Sequence, residues 1–228
     1  MGYILITANR NYSSWSLRPW VLMTVLGIAF EDRVEPFLDS VNYDRFRAFS
    51  PTGTVPVLID GDRTLWDSLG IVLYLADRHQ GVWPADERAR AWAQCAVAEM
   101  HAGFSALRND CPMNIGVRVE THAHAAALRK DIARLDELWG EGLARFGGPF
   151  LAGDRFSAVD AFFAPVAFRV RTYGLALGAA AQGWVDQMLA LPAMQAWEKA
   201  GLAETWREPA HEQEMGAAGR IVADYRAE

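Results

Sequence analysis

The sequence predicts an α/β unit followed by an all-helical unit. Three observations carry this: a strand–helix–strand beginning, an Asp-Gly hairpin between two apolar runs, and no strand-like alternation after the Gly- and Pro-bearing linker Gln80 to Asp86. Tyr3 to Thr7 is a short apolar run, Ser16 to Leu26 has helical spacing, and Arg33 to Phe37 reads as a second strand. After a loop containing Ser50, Pro51 and Gly53 comes the run Val55 to Ile59, then the turn Asp60-Gly61-Asp62 and a returning run Arg63 to Trp66. Ser68 to His79 places Leu69, Val72, Leu73, Leu75 and Ala76 on one helical face. The division expected from this pattern is residues 1–79 and 87–228. In the second unit helices are predicted across Glu87 to Leu107, Val119 to Arg145, Ser157 to Tyr173, Trp184 to Leu191 and Pro192 to Ala203, broken by Gly147-Gly148-Pro149 and Gly174. The clearest start signal is Ser157-Ala158-Val159-Asp160, a Ser-x-x-Asp capping box whose carboxylate also faces the positive end of the helix dipole.

Composition sets the function classes. The chain has 228 residues, 51% of them apolar and 22% charged, which is the profile of a globular protein with a packed core. A net charge of -6, with no dense block of Lys and Arg, argues against nucleic acid as a partner. The longest apolar stretches, Phe162 to Phe168 and Leu175 to Ala181, fall short of the ~20 residues a membrane span needs, so no membrane association is expected. Met1 to Thr7 has no basic region ahead of its apolar run, and a cytoplasmic location is expected. The two cysteines, Cys95 and Cys111, are sixteen residues apart in one predicted helical region. A continuous helix would hold them ~24 Å apart, too far for a bridge. With no Cys-x-x-Cys and no Cys/His cluster, neither thiol redox chemistry nor a zinc site is expected.

Three segments are candidates for chemistry. Asn11-Tyr12-Ser13-Ser14-Trp15-Ser16-Leu17-Arg18-Pro19 joins the first strand to the first helix, where free N–H groups and the helix dipole favour an anion. Pro19 places the start of an undisturbed helix at Ser16, leaving Ser13 and Ser14 in the loop; their hydroxyls either cap the helix or face a ligand. Val55-Pro56 opens a strand with a residue that lacks an N–H, which points to an edge or a cis bond. Asp67-Ser68 opens the next helix, either as a cap pair or as acceptor and donor for an ammonium and a carboxylate.

In order and spacing these segments resemble the glutathione transferase superfamily, and in detail its serine-type, zeta-like members. Their Ser-Ser-Cys-Ser-x-Arg loop is similar to Ser13-Ser14-Trp15-Ser16-Leu17-Arg18 here, and their Asn-Pro-x-x-x-Val-Pro-x-Leu region to Ser50-Pro51-Thr52-Gly53-Thr54-Val55-Pro56-Val57-Leu58. The superfamily's capping box is matched by Gly153-Asp154-Arg155-Phe156-Ser157-Ala158-Val159-Asp160. The resemblance implies a thioredoxin-like α/β N-terminal domain that binds glutathione and an all-α C-terminal domain that supplies the pocket for a small-molecule electrophile. It further implies a homodimer and a role in detoxification. Position by position, Ser13 takes the thiol-activating hydroxyl, with Ser14 beside it, and Val55 pairs its backbone with the cysteinyl part across a cis Pro56. Thr54 stands near the glycyl end, and Asp67 with Ser68 holds the γ-glutamyl end. Tyr12 is the rival hydroxyl, ranked below Ser13. Trp15 in place of Cys weakens the case for the zeta group's isomerase activity, and Thr54 in place of Gln or Lys alters the glycyl contact. The alternatives are a glutathione-dependent isomerase, dehalogenase or peroxidase, and a non-catalytic glutathione-binding protein of the same fold. Trp92, Phe104, Arg108, Phe168, Arg169 and Tyr173 either line the electrophile's pocket or pack in the core, and packing is the first expectation for each.

Overall fold

A computed structural model describes residues 2–38 and 42–227. The elements run β1 (Tyr3–Thr7), α1 (Ser14–Val25), β2 (Phe30–Val34), α2 (Asn42–Phe46), β3 (Val57–Asp60), β4 (Arg63–Leu65) and α3 (Ser68–Ala76). Helices α4 (Glu87–Ala102) and α5 (Ser105–Asp110) then lead to β5 (Val117–Thr121). The remainder is α6 (Ala126–Phe146), α7 (Ala158–Tyr173), α8 (Ala179–Ala190), α9 (Pro192–Leu202), α10 (Pro209–Ala218) and β6 (Gly219–Asp224). The architecture is a mixed sheet with its helices, followed by a helical part.

The first sheet has the order β2-β1-β3-β4, with β1 and β2 parallel and the β3–β4 hairpin antiparallel. Strand β2 lies three residues earlier than the apolar pattern suggests, because Tyr3 pairs with Phe30 and Thr7 with Val34, and Pro36 has no N–H to extend the ladder. Strand β3 is antiparallel to β1, with Ile6 opposite Val57, so Val55-Pro56 falls just beyond the ladder, beside the start of the Ala8–Ser13 loop. The Val55–Pro56 peptide is cis.

The helical part is built around α7, whose residues are all buried except Arg171. It packs against α1, α4, α8 and β5. Trp139, Trp184, Phe162 and Phe163 fill its surroundings, with Trp139 and Trp184 at 4.4 Å between ring centroids. The return arm of the capping box is formed, since Asp160 Oδ2 accepts the Ser157 N–H at 3.0 Å. Asp160 does more than cap, because its Oδ1 also accepts the Leu151 N–H at 2.9 Å and the Trp184 indole N–H at 3.0 Å. Asp160→Ala would strand three buried donors, and we expect a loss of about 3 kcal/mol or more in a urea unfolding titration. Burial raises the Asp160 carboxyl from 3.8 to about 6, against the N–H donors that favour its anion. The folded state therefore holds the extra proton between those values, and the stability due to this group falls as pH rises through that window.

Three expectations are corrected in the helical part. The segment 119–125 is not helical: Val117–Thr121 forms an antiparallel ribbon with Gly219–Asp224, and α6 begins only at Ala126. Val117 and Val119 are buried while Glu120 is exposed, an alternation of period two. The region Glu87 to Leu107 is two helices, divided at Gly103 and at Phe104, which has φ 54. Cys95 therefore lies exposed on α4 and Cys111 buried after α5, both as free thiols.

Candidate active site

The loop between β1 and α1 is held rigidly from below. Trp197 of α9 donates its indole N–H to the Arg10 carbonyl at 3.0 Å, and Asn11 donates to the Gly201 carbonyl at 2.6 Å. The buried Glu204 carboxylate accepts the Arg10 N–H at 2.8 Å and the Asn11 N–H at 3.4 Å. Residues of the helical part thus set the backbone of the segment that delivers Ser13.

Helix α1 begins at Ser14 rather than at Ser16. The Leu17 N–H reaches the Ser13 carbonyl at 3.2 Å and closes the first turn, and Pro19 removes only one later bond. Ser13 stands at the N-cap position yet its side chain caps nothing. Its hydroxyl instead donates to Ser16 Oγ at 2.7 Å. Among the described residues, neither the Trp15 nor the Ser16 N–H donates to a backbone carbonyl, which leaves two donors at the positive end of α1 beside Ser13. Ser14 follows in the first turn, 9% exposed.

Tyr12 is turned away from this role. Its hydroxyl donates to Glu212 Oε1 at 2.5 Å, its ring stacks on His211 at 4.9 Å, and burial with the Glu212 carboxylate holds its phenol well above the usual range.

Asp67 and Ser68 sit at the start of α3. Asp67 Oδ1 accepts the Leu69 and Gly70 N–H groups at 2.9 and 3.2 Å, and Oδ2 lies 3.3 Å from His101 Nε2 of α4. Ser68 is fully buried, with its hydroxyl 3.5 Å from the Arg18 guanidinium. Arg18 lies over the Trp15 ring at 4.1 Å and the Phe162 ring at 4.8 Å, and Trp15 meets His101 edge-on at 5.3 Å. The Ser13 loop and the Asp67-Ser68 pair therefore belong to one cluster, joined through Arg18, Trp15 and His101. Thr54 is exposed, its hydroxyl 2.7 Å from that of Thr52, and Ser50 Oγ ties down its N–H and carbonyl at 3.2 and 2.7 Å.

Two residues expected to be packing are part of this cluster. Arg108 of α5 lies 5.6 Å from the Trp15 ring, its Nε buried without a partner. Arg169 of α7 is buried, donating from Nε to the Cys111 carbonyl at 2.8 Å. Among the described residues, none of Arg18, Arg108 and Arg169 is ion-paired with a carboxylate. Burial lowers Arg18 to about 9, with Arg169 and Arg108 adding to the shift, and lowers Arg169 to about 10, so both stay charged at neutral pH. His101 is lowered chiefly by burial, against the pull of Asp67. His101 was not foreseen, and an isolated histidine in a helix gives no sequence signal of its own. Phe104, Phe168 and Tyr173 are core residues, Tyr173 donating to the Pro112 carbonyl at 2.7 Å, and Trp92 packs against Phe146. Among the described residues, no group of His, Cys, Asp and Glu has the arrangement to hold a metal ion.

A strand–loop–helix with a serine at the helix start, a cis Val-Pro and an Asp-Ser helix start thus lie together on a mixed sheet followed by a helical part. Family models agree: residues 12–78 match "Glutathione S-transferase, N-terminal domain" and residues 119–200 match "Glutathione S-transferase, C-terminal domain". The chain belongs to the glutathione transferase superfamily, a family of glutathione-dependent enzymes. It is 28% identical over 168 residues to glutathione S-transferase Z2 of Arabidopsis thaliana, covering 68% of this chain and 74% of that one. It is 29% identical over 184 residues to the maleylacetoacetate isomerase of Rhizobium meliloti (strain 1021), covering 73% of this chain and 82% of that one. Among solved structures, the theta class glutathione S-transferase of Xanthomonas axonopodis pv. citri, with glutathione bound, superposes with a TM-score of 0.63 at 22% identity over 86% of this chain and 96% of that one.

Proposed function

We propose that this chain is a glutathione transferase in which Ser13 donates a hydrogen bond to the glutathione thiolate, and that its second substrate is a small electrophile bearing an anionic group. On this reading residues 1–79 form the glutathione-binding domain and residues 87–228 the domain of the second substrate. Val55 beside Pro56 pairs with the cysteinyl backbone, Asp67 and Ser68 hold the γ-glutamyl end, and Ser14 and Thr54 flank the tripeptide. A free thiol has a pKa of ~8.5, so only a few per cent is ionised at neutral pH. Ser13, the two available N–H groups of α1 and the nearby arginines all favour the anion, which then attacks the electrophile.

The observation that carries the reading is the Ser13 hydroxyl, placed at a helix N-terminus without capping it. The electrophile's charge follows from Arg108. A guanidinium with a buried, unpartnered Nε, in no ion pair among the described residues and held near the buried Arg18, favours an anionic occupant. A glutathione conjugation panel tests both statements. The enzyme should prefer a carboxylate-bearing acceptor over its neutral ester, and Arg108→Gln should remove that preference by raising KM for the acid roughly ten- to hundred-fold while leaving KM for glutathione unchanged. Equal use of acid and ester would remove the anionic-acceptor reading. No conjugation of any acceptor and no binding of millimolar glutathione by calorimetry would remove the transferase reading.

Glutathione-dependent isomerisation is the second reading, favoured by the similarity to the Rhizobium meliloti isomerase together with the cationic cluster. Trp15, standing where zeta-like members have Cys, weighs against it. Recovery of free glutathione with a rearranged acid would distinguish it from a stable thioether.

A homodimer in the cytoplasm completes the proposal. Trp66 and Leu73, 46% and 49% exposed, leave apolar surface around α3 for a second copy to cover. Light scattering should give about twice the chain mass of 25.3 kDa, and a value equal to that mass would exclude the dimer. No helix among the described residues is long and apolar enough to cross a membrane.

A further inference from the structure

We propose that Glu204 is a positioning residue for thiol activation, a buried carboxylate of the helical part that fixes the turn from which Ser13 reaches the sulfur. The inference rests on the assignment of Ser13 above. The turn from Asn9 to Ser13 carries backbone donors at residues 10 to 13, and their acceptors divide evenly. The Tyr12 and Ser13 N–H groups fold back onto the Asn9 carbonyl at 3.1 and 2.9 Å. The Arg10 and Asn11 N–H groups find no acceptor within the turn, and the two oxygens of Glu204 take one each, at 2.8 and 3.4 Å. An ionised carboxylate is an acceptor on both oxygens, which suits two adjacent donors. The Arg10 guanidinium is committed to Asp32 at 2.5 Å, so what Glu204 holds is the backbone of the turn and not the arginine's charge.

Glu204 follows α9, whose last turn reaches the same segment through Trp197 and Gly201. A Cβ on Gly201 would stand 3.2 Å from that of Arg10, so the helix end and the turn are in close approach. Without the carboxylate two buried donors, two and three residues before Ser13, lose their acceptors, and the turn must relax to satisfy them. The Ser13 hydroxyl moves with it. A functional group has to be held to within about 0.5 Å of its working position, so a small shift of the turn weakens the bond to the thiolate while the contacts assigned to Val55, Asp67 and Ser68 stay in place. The sign of the effect separates positioning from charge. A carboxylate that acted on the sulfur through its charge would disfavour the thiolate, and removing it would lower the pH of half-ionisation. Removing one that positions Ser13 raises it.

Titration of bound glutathione in two variants tests this. Gln is close to Glu in size and its single acceptor oxygen can serve one of the two N–H groups. Glu204→Gln should therefore raise the pH at which the bound thiol is half ionised and lower kcat near neutral pH roughly threefold, with recovery at alkaline pH and KM for glutathione unchanged. Glu204→Ala should do the same roughly tenfold, and if that variant does not fold, Glu204→Gln decides alone. In a Ser13→Ala background, Glu204→Gln should leave the thiol titrating where Ser13→Ala put it, because Glu204 acts through Ser13. A bound thiol that titrates in Glu204→Gln at or below the parent's pH, or an equal rise in both backgrounds, would overturn the proposal. If Ser13→Ala by itself leaves thiol ionisation unchanged, it is the assignment of Ser13 that fails, and that single variant tells the two failures apart.

Discussion

Ser13→Ala should lower turnover near neutral pH roughly ten- to hundred-fold while leaving glutathione affinity nearly intact. The magnitude is that of one hydrogen bond to a charged group, ~1.5 to 3 kcal/mol, removed from the ionised form of the thiol and not from the tripeptide's other contacts. The loss should shrink at alkaline pH, where the thiol ionises without help. Tyr12→Phe is the control. Its hydroxyl is committed to Glu212 at 2.5 Å, so removing it should leave the thiol's ionisation and its pH profile unchanged. The opposite pattern, with Ser13→Ala active and Tyr12→Phe inactive, would transfer the activating role to Tyr12.

Asp67→Ala should instead weaken glutathione binding, raising its KM about tenfold or more with a smaller effect on saturated turnover. The carboxylate has two tasks in the structure. Oδ1 caps α3 through Leu69 and Gly70, and Oδ2 faces His101 and, in the proposed complex, the γ-glutamyl ammonium. Losing the cap should also cost about 1 kcal/mol of stability. Asp67→Asn separates the tasks, since its amide oxygen still caps the helix while its charge is gone. Steady-state kinetics and urea unfolding on both variants measure the two losses: Asn should recover the stability and not the affinity. Affinity restored by Asn would mean that Asp67 acts through the shape of α3 alone.

The parts of this site that are local in sequence were legible from it. Ser13 at the β1–α1 junction, Pro56 and the Asp67-Ser68 helix start each depend on residues a few positions apart; the junctions were legible, but the strand expected from Val55 begins at Val57 and the helix expected from Ser16 begins at Ser14. The ribbon of β5 and β6 was not legible in the same way. Val117 and Val119 alternate with polar residues, but the partner strand at Gly219–Asp224 lies about a hundred residues downstream, and a two-stranded pairing leaves little trace in either segment alone. The arginines show the same limit more sharply. Arg108 and Arg169 each sit in an apolar helical pattern and read as packing residues. Only the convergence of α1, α5 and α7 brings them near Arg18, with Arg108 also beside Trp15. Likewise the two readings of Ser13, cap or ligand donor, were equal in sequence. In the structure the Ser13 hydroxyl contacts Ser16 Oγ at 2.7 Å and caps no helix N–H, which argues against the cap reading.

The most direct test of the account is an ultraviolet titration of glutathione bound to the enzyme, following thiolate absorbance against pH. The account predicts half-ionisation one to two units below the ~8.5 of a free thiol, and a return towards that value in Ser13→Ala. A bound thiol that titrates at the same pH as free glutathione would contradict it.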